Sequence, residues 1–451
     1  MHQRQEIDML HGPLPGKILR FALPLAVTGI LQQLFNAADV AVVGRFCDNN
    51  AMAAVGSNGA IVGLMVNLFV GVSLGSNVVI AQYTGQGKTE QVSKTVHSSI
   101  LIALVCGLFL TVLGEIFAPL ILQGMSVPPE VLPLSVLYLR IYMAGMPVIL
   151  LYNFLSAIFR SQGDTRTPLI CLNISGVVSV GLNILFVVGF GRSVDGVAIA
   201  TVASNALSSL LLFVTLLRSD GAVKLEWRRF RPDWRIIGRV FRIGVPAGVQ
   251  GMVFSIANIV VQSAINSLGA TVMAASSAAF NVEIFAFFII TAFGQACTTF
   301  TGQNFGAGQI GRCRQTLRSC VLMGLAGTVL VSGLILLLAD PILSIFNKDP
   351  DVIAVGRIRL FVILLGEPLS LIMETFSGAL RGFGKSTPPA VLTLVGVVGV
   401  RLTWIFLYFP AHPTFGAIIA CFPLSWAVTA AAIAVYYFRF RSKQNRTLQT
   451  A

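Results

Sequence analysis

The sequence predicts an all-α integral membrane protein of twelve transmembrane helices, arranged as two pseudo-symmetric lobes of six helices each. Three observations predict this fold class: an apolar composition, long apolar runs and a repeat that relates the two halves of the chain. Of the 451 residues, 55% are hydrophobic and 11% are charged, whereas an ordinary soluble chain has about 25% charged residues. This composition places the chain in a lipid bilayer.

Twelve apolar runs are long enough to cross the bilayer core, which requires about 20 residues. Backbone N–H and C=O groups find no water partner in lipid, so runs of this kind must be helical. The runs lie near residues 18–46, 52–79, 93–122, 134–158, 167–190, 194–217, 237–266, 273–300, 315–338, 354–380, 387–409 and 415–438.

The second half of the chain repeats the first with a nearly constant offset in residue number. The matched pairs are Gly85–Gly87 with Gly306–Gly308, Gly145 with Gly366, Arg160 with Arg381, Pro24 with Pro246 and Asn36 with Asn258. Because each copy holds an even number of spans, both copies enter the membrane in the same orientation, as in parallel repeats of transporters. The paired glycine-rich segments predict tight turns at the ends of spans.

Charge predicts the orientation and the domain limits. With the N-terminus placed inside, 24 of the 31 Lys and Arg residues fall on that side. An excess of Lys and Arg marks the cytoplasmic side, so both termini are predicted to be cytoplasmic, in a bacterial inner membrane. The predicted lobes are residues 1–217 and 237–451, the second with a short basic tail. A basic linker at 218–236 joins them, and its Trp227 and Trp234 favour contact with anionic headgroups.

Several other classes are excluded by the sequence. The net charge of +13 does not indicate nucleic-acid binding, because no folded soluble domain is present to carry it. The seven cysteines contain no Cys-x-x-Cys pair and the four histidines are scattered, so neither a disulfide framework nor a metal site is predicted. Motifs of a phosphate-binding loop or a catalytic nucleophile are missing from the sequence, so an enzyme with a cofactor is not expected.

Four segments occur in a fixed order on this pattern of spans. They are Gln32–Asp39 followed by Val43–Phe46, the two glycine-rich segments, the two Arg-x-x-Gly segments after spans four and ten, and Gly196–Thr201 with a weaker echo at Gly416–Ala420. Together they resemble the multidrug and toxic compound extrusion (MATE) transporters, of the bacterial DinF/NorM-like branch, over residues 14–438. The resemblance implies two six-helix lobes around a central cavity. It also implies efflux of amphipathic, often cationic small molecules in exchange for H⁺ or Na⁺.

Asp39 is the most informative charge because it lies well inside the first span. A charged group at mid-membrane costs about 2.5–3.5 kcal/mol on insertion scales, so its presence requires a reason. Burial disfavours the ionised form of a carboxyl group, which can then take up and release a proton or hold a hard cation. The resemblance implies the same role, since bacterial and archaeal family members use an acid at this point. An Asp held near the helix end by a hydroxyl group or a headgroup is the structural alternative.

The resemblance also supplies partners for Asp39. Asn183 in span five and Thr201 in span six fall where the family provides oxygen ligands around that acid. Many relatives carry a second Asp four residues after this Asn, where the present chain has Val187. One carboxylate fewer favours H⁺ over Na⁺ as the coupling ion. Ordinary hydrogen bonding between helices is the alternative for Asn183 and Thr201.

The second half contains its own charges within predicted spans. Glu283 in span eight and Arg401 in span eleven have opposite charges at similar depth, so an ion pair between them is predicted, with a direct role in transport as the alternative. Glu367 and Glu374 in span ten are seven residues apart and share a helix face. They are candidates for contact with a cationic substrate or for hydrogen bonding at a broken helix.

The remaining substrate candidates are Asn36 and Asn153, polar residues within spans one and four. The predicted partners are small-molecule substrates, H⁺ or Na⁺ and membrane lipid, and the protein is expected to be monomeric. Within the same superfamily, a lipid-linked glycan flippase and a dedicated natural-product exporter stay open as alternatives. A lipid-handling enzyme is disfavoured because the sequence lacks clustered catalytic His or acidic residues at one membrane face, and a receptor or scaffold is disfavoured by the duplication and the acids within the spans.

Overall fold

The structure is a computed structural model that describes residues 7–125, 127–219, 221, 223–225 and 231–449. All regular elements of these residues are helical. The α-helices are α1 (Leu14–Phe46), α2 (Asn49–Gly85), α3 (Thr89–Gly124), α4 (Leu132–Ala144), α5 (Met146–Ser161), α6 (Arg166–Ile184), α7 (Val194–Leu217), α8 (Trp234–Asn266), α9 (Ala270–Gly306), α10 (Ile310–Leu337), α11 (Ala339–Phe346), α12 (Pro350–Gly382), α13 (Thr387–Thr393), α14 (Val400–Thr403), α15 (Phe415–Ile419) and α16 (Cys421–Gln449). The π-helical turns are Leu185–Gly189, Leu394–Gly399 and Trp404–Tyr408, and a 3₁₀ turn covers Phe409–Ala411.

Every one of the twelve predicted runs is covered by helix, which confirms the predicted fold class. Among the described residues, ten helical segments are long and apolar enough to cross a membrane, and the bent pair α4 and α5 makes an eleventh. That pair is bent by 48° at Gly145, which separates the two helices. The remaining run corresponds to α12, which carries several charged side chains, among them Arg359, Glu367 and Glu374. The chain is a multi-pass membrane protein.

Four glycines show the repeat directly in the backbone. Gly87 and Gly308 have φ values of 69° and 74°, and Gly163 and Gly384 have φ values of 87° and 77°. The members of each pair have the same offset in sequence as Arg160 and Arg381. Only glycine enters this left-handed region without a steric penalty, so these positions allow tight turns at the ends of α2, α9, α5 and α12. The turns predicted from the glycine-rich segments are therefore confirmed.

Contacts divide the described chain into two compact units. Unit 1 contains Ile7 and Val27–Gly248, and unit 2 contains Asp8–Ala26 together with residues 249–449. The limits therefore fall inside α1 and α8, whereas the sequence predicted domains of 1–217 and 237–451 joined by a linker at 218–236. Those predicted limits describe the repeat, and packing alone decides which unit each half-helix joins. Within the linker, Trp234 is 78% exposed, and Trp227 lies outside the described residues.

The first half of α1 is held in unit 2 by specific contacts. The ring of Phe21 meets the ring of Phe300 edge-on, with centroids 5.5 Å apart. The carbonyl oxygen of Met9 accepts hydrogen bonds from Arg312 Nε at 3.0 Å and from Asn304 Nδ2 at 3.2 Å. These contacts explain why this segment packs in unit 2, although the other residues of unit 2 come much later in the sequence.

The first half of α8 is held in unit 1 by close backbone packing against α2. Each helix carries a Gly-x-x-x-Gly segment, Gly71–Gly75 and Gly244–Gly248. A Cβ placed on Gly71 would lie 2.1 Å from the backbone nitrogen of Gly248, and one placed on Gly75 would lie 2.3 Å from the carbonyl oxygen of Val240. Small residues spaced in this way let two membrane helices approach closely. This packing places the first half of α8 in unit 1.

We expect Gly71→Ala to lower the thermal stability of the detergent-solubilised protein, because the new methyl group would overlap backbone atoms that cannot move away. Overpacking of this kind costs about 1–3 kcal/mol, and more where backbone is displaced. Gly63→Ala is the matched control, since a Cβ at Gly63, on the same helix, meets nothing within 4 Å. Equal melting temperatures for the two variants would contradict the close packing of α2 and α8.

Candidate functional site

Unit 1 brings together the three residues that the sequence singled out around Asp39. The Oδ1 of Asp39 accepts a hydrogen bond of 2.5 Å from Asn183 Nδ2. Its Oδ2 lies 3.4 Å from the hydroxyl oxygen of Thr201. The three residues come from α1, α6 and α7, so the carboxyl group joins three helices that are far apart in sequence.

The hydrogen bonds of this cluster are incomplete. Thr201 has a single hydroxyl proton, and its shorter bond of 2.9 Å goes to the carbonyl oxygen of Val197. Its oxygen is therefore able to accept a proton from the carboxyl group. The Oδ1 of Asn183 is buried and has no hydrogen-bond partner within the described part of the chain. A buried amide oxygen without a partner is costly, so this atom is a candidate ligand for a proton donor or a cation.

The local backbone at Asn183 is unusual. Helix α6 ends one residue later, at Ile184, and passes into the π-helical turn Leu185–Gly189. Turns of this type inside membrane helices widen the backbone by one residue and occur often at functional sites. The turn places Val187 in an apolar cluster with Val43, Val194 and Val197. Val187 is only 5% exposed there and has an apolar side chain, so it offers no ligand to Asp39.

Two tyrosines near Asp39 were missed from the sequence. Tyr138 and Tyr142 on α4 stack with ring centroids 6.2 Å apart. Both phenol groups lie close enough to Asp39 to interact with its charge. Their spacing of four residues in span four is a signal that could have found them, since residues so spaced share one face of a helix.

The predicted ion pair between Glu283 and Arg401 is wrong. Glu283 instead binds Arg359 through two bonds, Nη2 to Oε1 at 2.6 Å and Nε to Oε2 at 3.0 Å. Arg359 also donates to the hydroxyl group of Ser276 at 2.6 Å. Glu283 and Arg359 lie on α9 and α12, which pack along each other in unit 2, and their side chains are 10% and 5% exposed. Adjacency of helices, which the sequence does not show, decides the partner.

Arg401 is held by neutral groups. Its Nη1 donates to Asn258 Oδ1 at 2.7 Å and its Nε donates to the hydroxyl group of Ser425 at 3.1 Å. The guanidinium carbon lies 4.2 Å from the centroid of the Phe422 ring, a cation–π contact. Arg401 is 1% exposed. Among the described residues, no carboxylate lies within salt-bridge distance of its guanidinium group, so its charge inside unit 2 is stabilised by neutral groups.

The two acids of span ten have separate surroundings. Glu367 is 3% exposed and accepts a hydrogen bond of 3.3 Å from Ser332 on α10. Glu374 pairs with Arg381 at 2.7 Å, two turns further along α12. Arg381 also donates to Gln250 at 2.8 Å. Glu374 is therefore held by an ion pair within one helix, and its contact with a cationic substrate stays a prediction.

The two candidate asparagines lie outside these clusters. Asn36 is exposed on α1, one turn before Asp39. Asn153 donates to the carbonyl oxygen of Ile149, one turn earlier on α5, at 2.9 Å. Neither residue forms a hydrogen bond with the Asp39 cluster, which consists of Asp39, Asn183 and Thr201.

Comparison with known proteins assigns these positions to a family. The MatE family model matches residues 24–188 and 246–407, which are the two copies of the repeat and contain both Asp39 and Glu283. The chain belongs to the MatE family. The two matched segments begin at Pro24 and Pro246, a pair that the repeat relates. The resemblance seen in the sequence is confirmed, and this MatE chain is a transporter.

Curated relatives match nearly the whole chain. The "Probable multidrug resistance protein YoeA" of Bacillus subtilis is 28% identical over 94% of this chain and 94% of its own length. The "Probable multidrug resistance protein NorM" of Thermotoga maritima is 27% identical over 87% of this chain and 85% of its own length. Among solved structures, a crystal structure of a MATE transporter in complex with MaL6 superposes with a TM-score of 0.92. It is 20% identical and covers 98% of this chain and 100% of its own, which establishes that the MatE fold is shared.

Proposed function

We propose that this MatE chain is an antiporter that exports amphipathic, often cationic small molecules in exchange for H⁺ or Na⁺. The observation that carries the proposal is the Asp39 cluster, in which a carboxyl group inside a membrane span faces an amide and a hydroxyl group. A carboxyl group so placed alternates between a charged and a neutral form at modest cost. The relatives named as multidrug resistance proteins support the choice of substrate class.

In the proposed cycle, the exchanged cation neutralises Asp39 while the site is open to the outside. Loss of the negative charge lowers the affinity for a cationic substrate, which then leaves. When the site opens to the inside the cation escapes, and Asp39 is again ready to attract a substrate. Inward movement of one charge contributes about 2.3 kcal/mol per 100 mV of membrane potential. By this alternating access, the ion gradient supports accumulation of the substrate outside.

We favour H⁺ as the coupling ion. Na⁺ requires several oxygen ligands, and the cluster offers the Asp39 carboxylate, the Thr201 hydroxyl group and the free Oδ1 of Asn183. That last atom points away from the carboxylate, because the Nδ2 of the same amide occupies Asp39 Oδ1. A proton needs only the carboxyl group and the Thr201 oxygen as acceptor. The proposal further includes a bacterial inner membrane, cytoplasmic termini and action as a monomer.

Proteoliposomes containing the purified protein test the proposal. We expect ethidium transport when a pH gradient is imposed, and little transport when a Na⁺ gradient of the same size is imposed at constant pH. Transport driven by Na⁺ alone would keep the antiporter and change the ion. Failure of both gradients to drive ethidium or other lipophilic cations would contradict the proposal. That outcome would favour a dedicated exporter or a lipid-linked glycan flippase.

A further inference from the structure

The repeat allows the Asp39 cluster to be traced onto unit 2. Each residue of the cluster is aligned through a nearby pair of the repeat, and these pairs are Asn36 with Asn258, Arg160 with Arg381 and Gly196 with Gly416. The alignment places Val261 at the position of Asp39 and Cys421 at that of Thr201, whereas Asn183 lies between pairs with offsets of 221 and 220 and so corresponds to Trp404 or Thr403. The carboxyl and hydroxyl groups of unit 1 are thus replaced by an isopropyl group and a thiol, and neither Trp404 nor Thr403 carries a side-chain amide.

Those replacements leave the counterpart without the ligands that unit 1 provides. Val261 is 1% exposed and Cys421 is fully buried. The indole nitrogen of Trp404 donates to the carbonyl oxygen of Ala417 at 2.7 Å. With Gly196 aligned to Gly416, Ala417 corresponds to Val197, which accepts the hydroxyl group of Thr201 in unit 1. The indole therefore uses the backbone acceptor that the hydroxyl group uses in the other copy.

One helical turn from these three positions, the guanidinium group of Arg401 forms hydrogen bonds that connect the same three spans. Arg401 precedes Trp404 by three residues, and its partners Asn258 and Ser425 precede Val261 by three and follow Cys421 by four. The offsets of 221 and 220 place Val180 or Gly181 of unit 1 at the position of Arg401, and neither residue carries a charge. The positive charge is therefore a difference between the two copies and not a feature of the repeat.

The surroundings of Arg401 leave its charge uncompensated. Among the described residues, the titratable or charged groups that act on it are Cys421 and Arg359. Arg359 is itself neutralised by the bidentate contact with Glu283. Two neutral oxygens and the face of Phe422 remain as partners of Arg401. A further cation at this place would meet repulsion in a medium of low dielectric constant.

We propose that Arg401 is a built-in cation one helical turn from the unit 2 counterpart of the Asp39 site, where its charge repels a second ion, so that the protein binds one coupling cation in each transport cycle, at Asp39 alone. This inference rests on the proposed function. Arg401 acts here as a specificity-determining residue: its fixed charge lies permanently beside the second position, and only the first site exchanges its ion with the medium.

The first test counts ions in the wild type. In proteoliposomes, the membrane potential at which net ethidium flux reverses gives the number of coupling ions per substrate. We expect a ratio of one, and a difference in melting temperature between the wild type and Asp39→Asn that varies with the concentration of the coupling ion as binding at a single site requires. A ratio of two, with cation-dependent melting retained in Asp39→Asn, would overturn the inference and leave antiport intact. Absence of any ion-driven flux would instead refute the proposed function.

The second test asks whether Arg401 is what excludes the ion. In the Asp39→Asn background, Val261→Asp restores an acid next to Arg401, which neutralises it, so no cation-dependent melting is expected. Val261→Asp combined with Arg401→Gln leaves the new acid unpaired, and cation-dependent melting should return. Equal behaviour of the two variants, with or without cation dependence, would overturn the role of Arg401. Arg401→Lys keeps the charge and should retain the ratio of one, which separates charge from packing.

Discussion

Asp39→Asn is expected to abolish ion-driven ethidium export while leaving the amount of protein in the membrane unchanged. Asn has nearly the same shape as Asp and can keep its contacts with Asn183 and Thr201, but it neither gains nor loses a proton. The change therefore removes the gain and loss of charge at this position and leaves the fold intact. Efflux from cells expressing the variant should fall to the level of cells that lack the protein.

The matched control for this prediction is Asp195→Asn. Asp195 lies in the first turn of α7, the helix that also carries Thr201, and pairs with the largely exposed Arg192 at 3.0 Å. The same chemical change there should leave export close to wild type, because the Arg192 partner is 63% exposed and an ion pair open to solvent on one side contributes little. Unchanged export in Asp39→Asn, at equal expression, would refute a coupling role for the Asp39 cluster.

Glu283→Gln is expected to give the largest loss of stability among single changes in unit 2. Removing one partner of a buried ion pair costs about 3–5 kcal/mol, because the other charge is left uncompensated. Here Arg359 would keep only neutral hydrogen-bond acceptors, the Ser276 hydroxyl group and the amide oxygen of the new Gln, while its charge stays buried, since its side chain is 5% exposed. The melting temperature of the detergent-solubilised protein measures the effect.

An exposed ion pair and a double variant serve as controls for Glu283. Glu115 and Arg140 lie 3.5 Å apart with both side chains 46% exposed, so Glu115→Gln should change the folding free energy by no more than about 1 kcal/mol. Glu283→Leu combined with Arg359→Met should recover much of the lost stability, since no charge then stays buried alone. Equal melting of Glu283→Gln and Glu115→Gln would contradict the importance of the buried pair.

The fold was predictable because its main signals are local. Length and apolarity of a run determine whether it crosses a bilayer as a helix, and both are properties of consecutive residues. The repeat of the two halves is likewise visible in the sequence, and it reappears as left-handed glycines at Gly87 and Gly308. The break at Gly145, by contrast, interrupts a run that the sequence predicts as one span.

The candidate site was predictable only in part. The grouping of Asp39, Asn183 and Thr201 followed from the family resemblance, and the structure places their side chains in contact. Charge and depth suggested Arg401 as the partner of Glu283, but these properties do not state which helices are neighbours. The sequence analysis did not single out Arg359, which lies near the start of the tenth apolar run.

By itself, the sequence determined that this protein is a helical membrane protein with two related halves, and it identified Asp39 as a charge that needs an explanation. Only the tertiary structure decided how the charges of the second half are satisfied. The pairing of Glu283 with Arg359 arises where α9 packs on α12, and the neutral partners of Arg401 come from different spans. Hydropathy acts along the chain, whereas a charge inside a membrane is stabilised by whichever helix lies beside it.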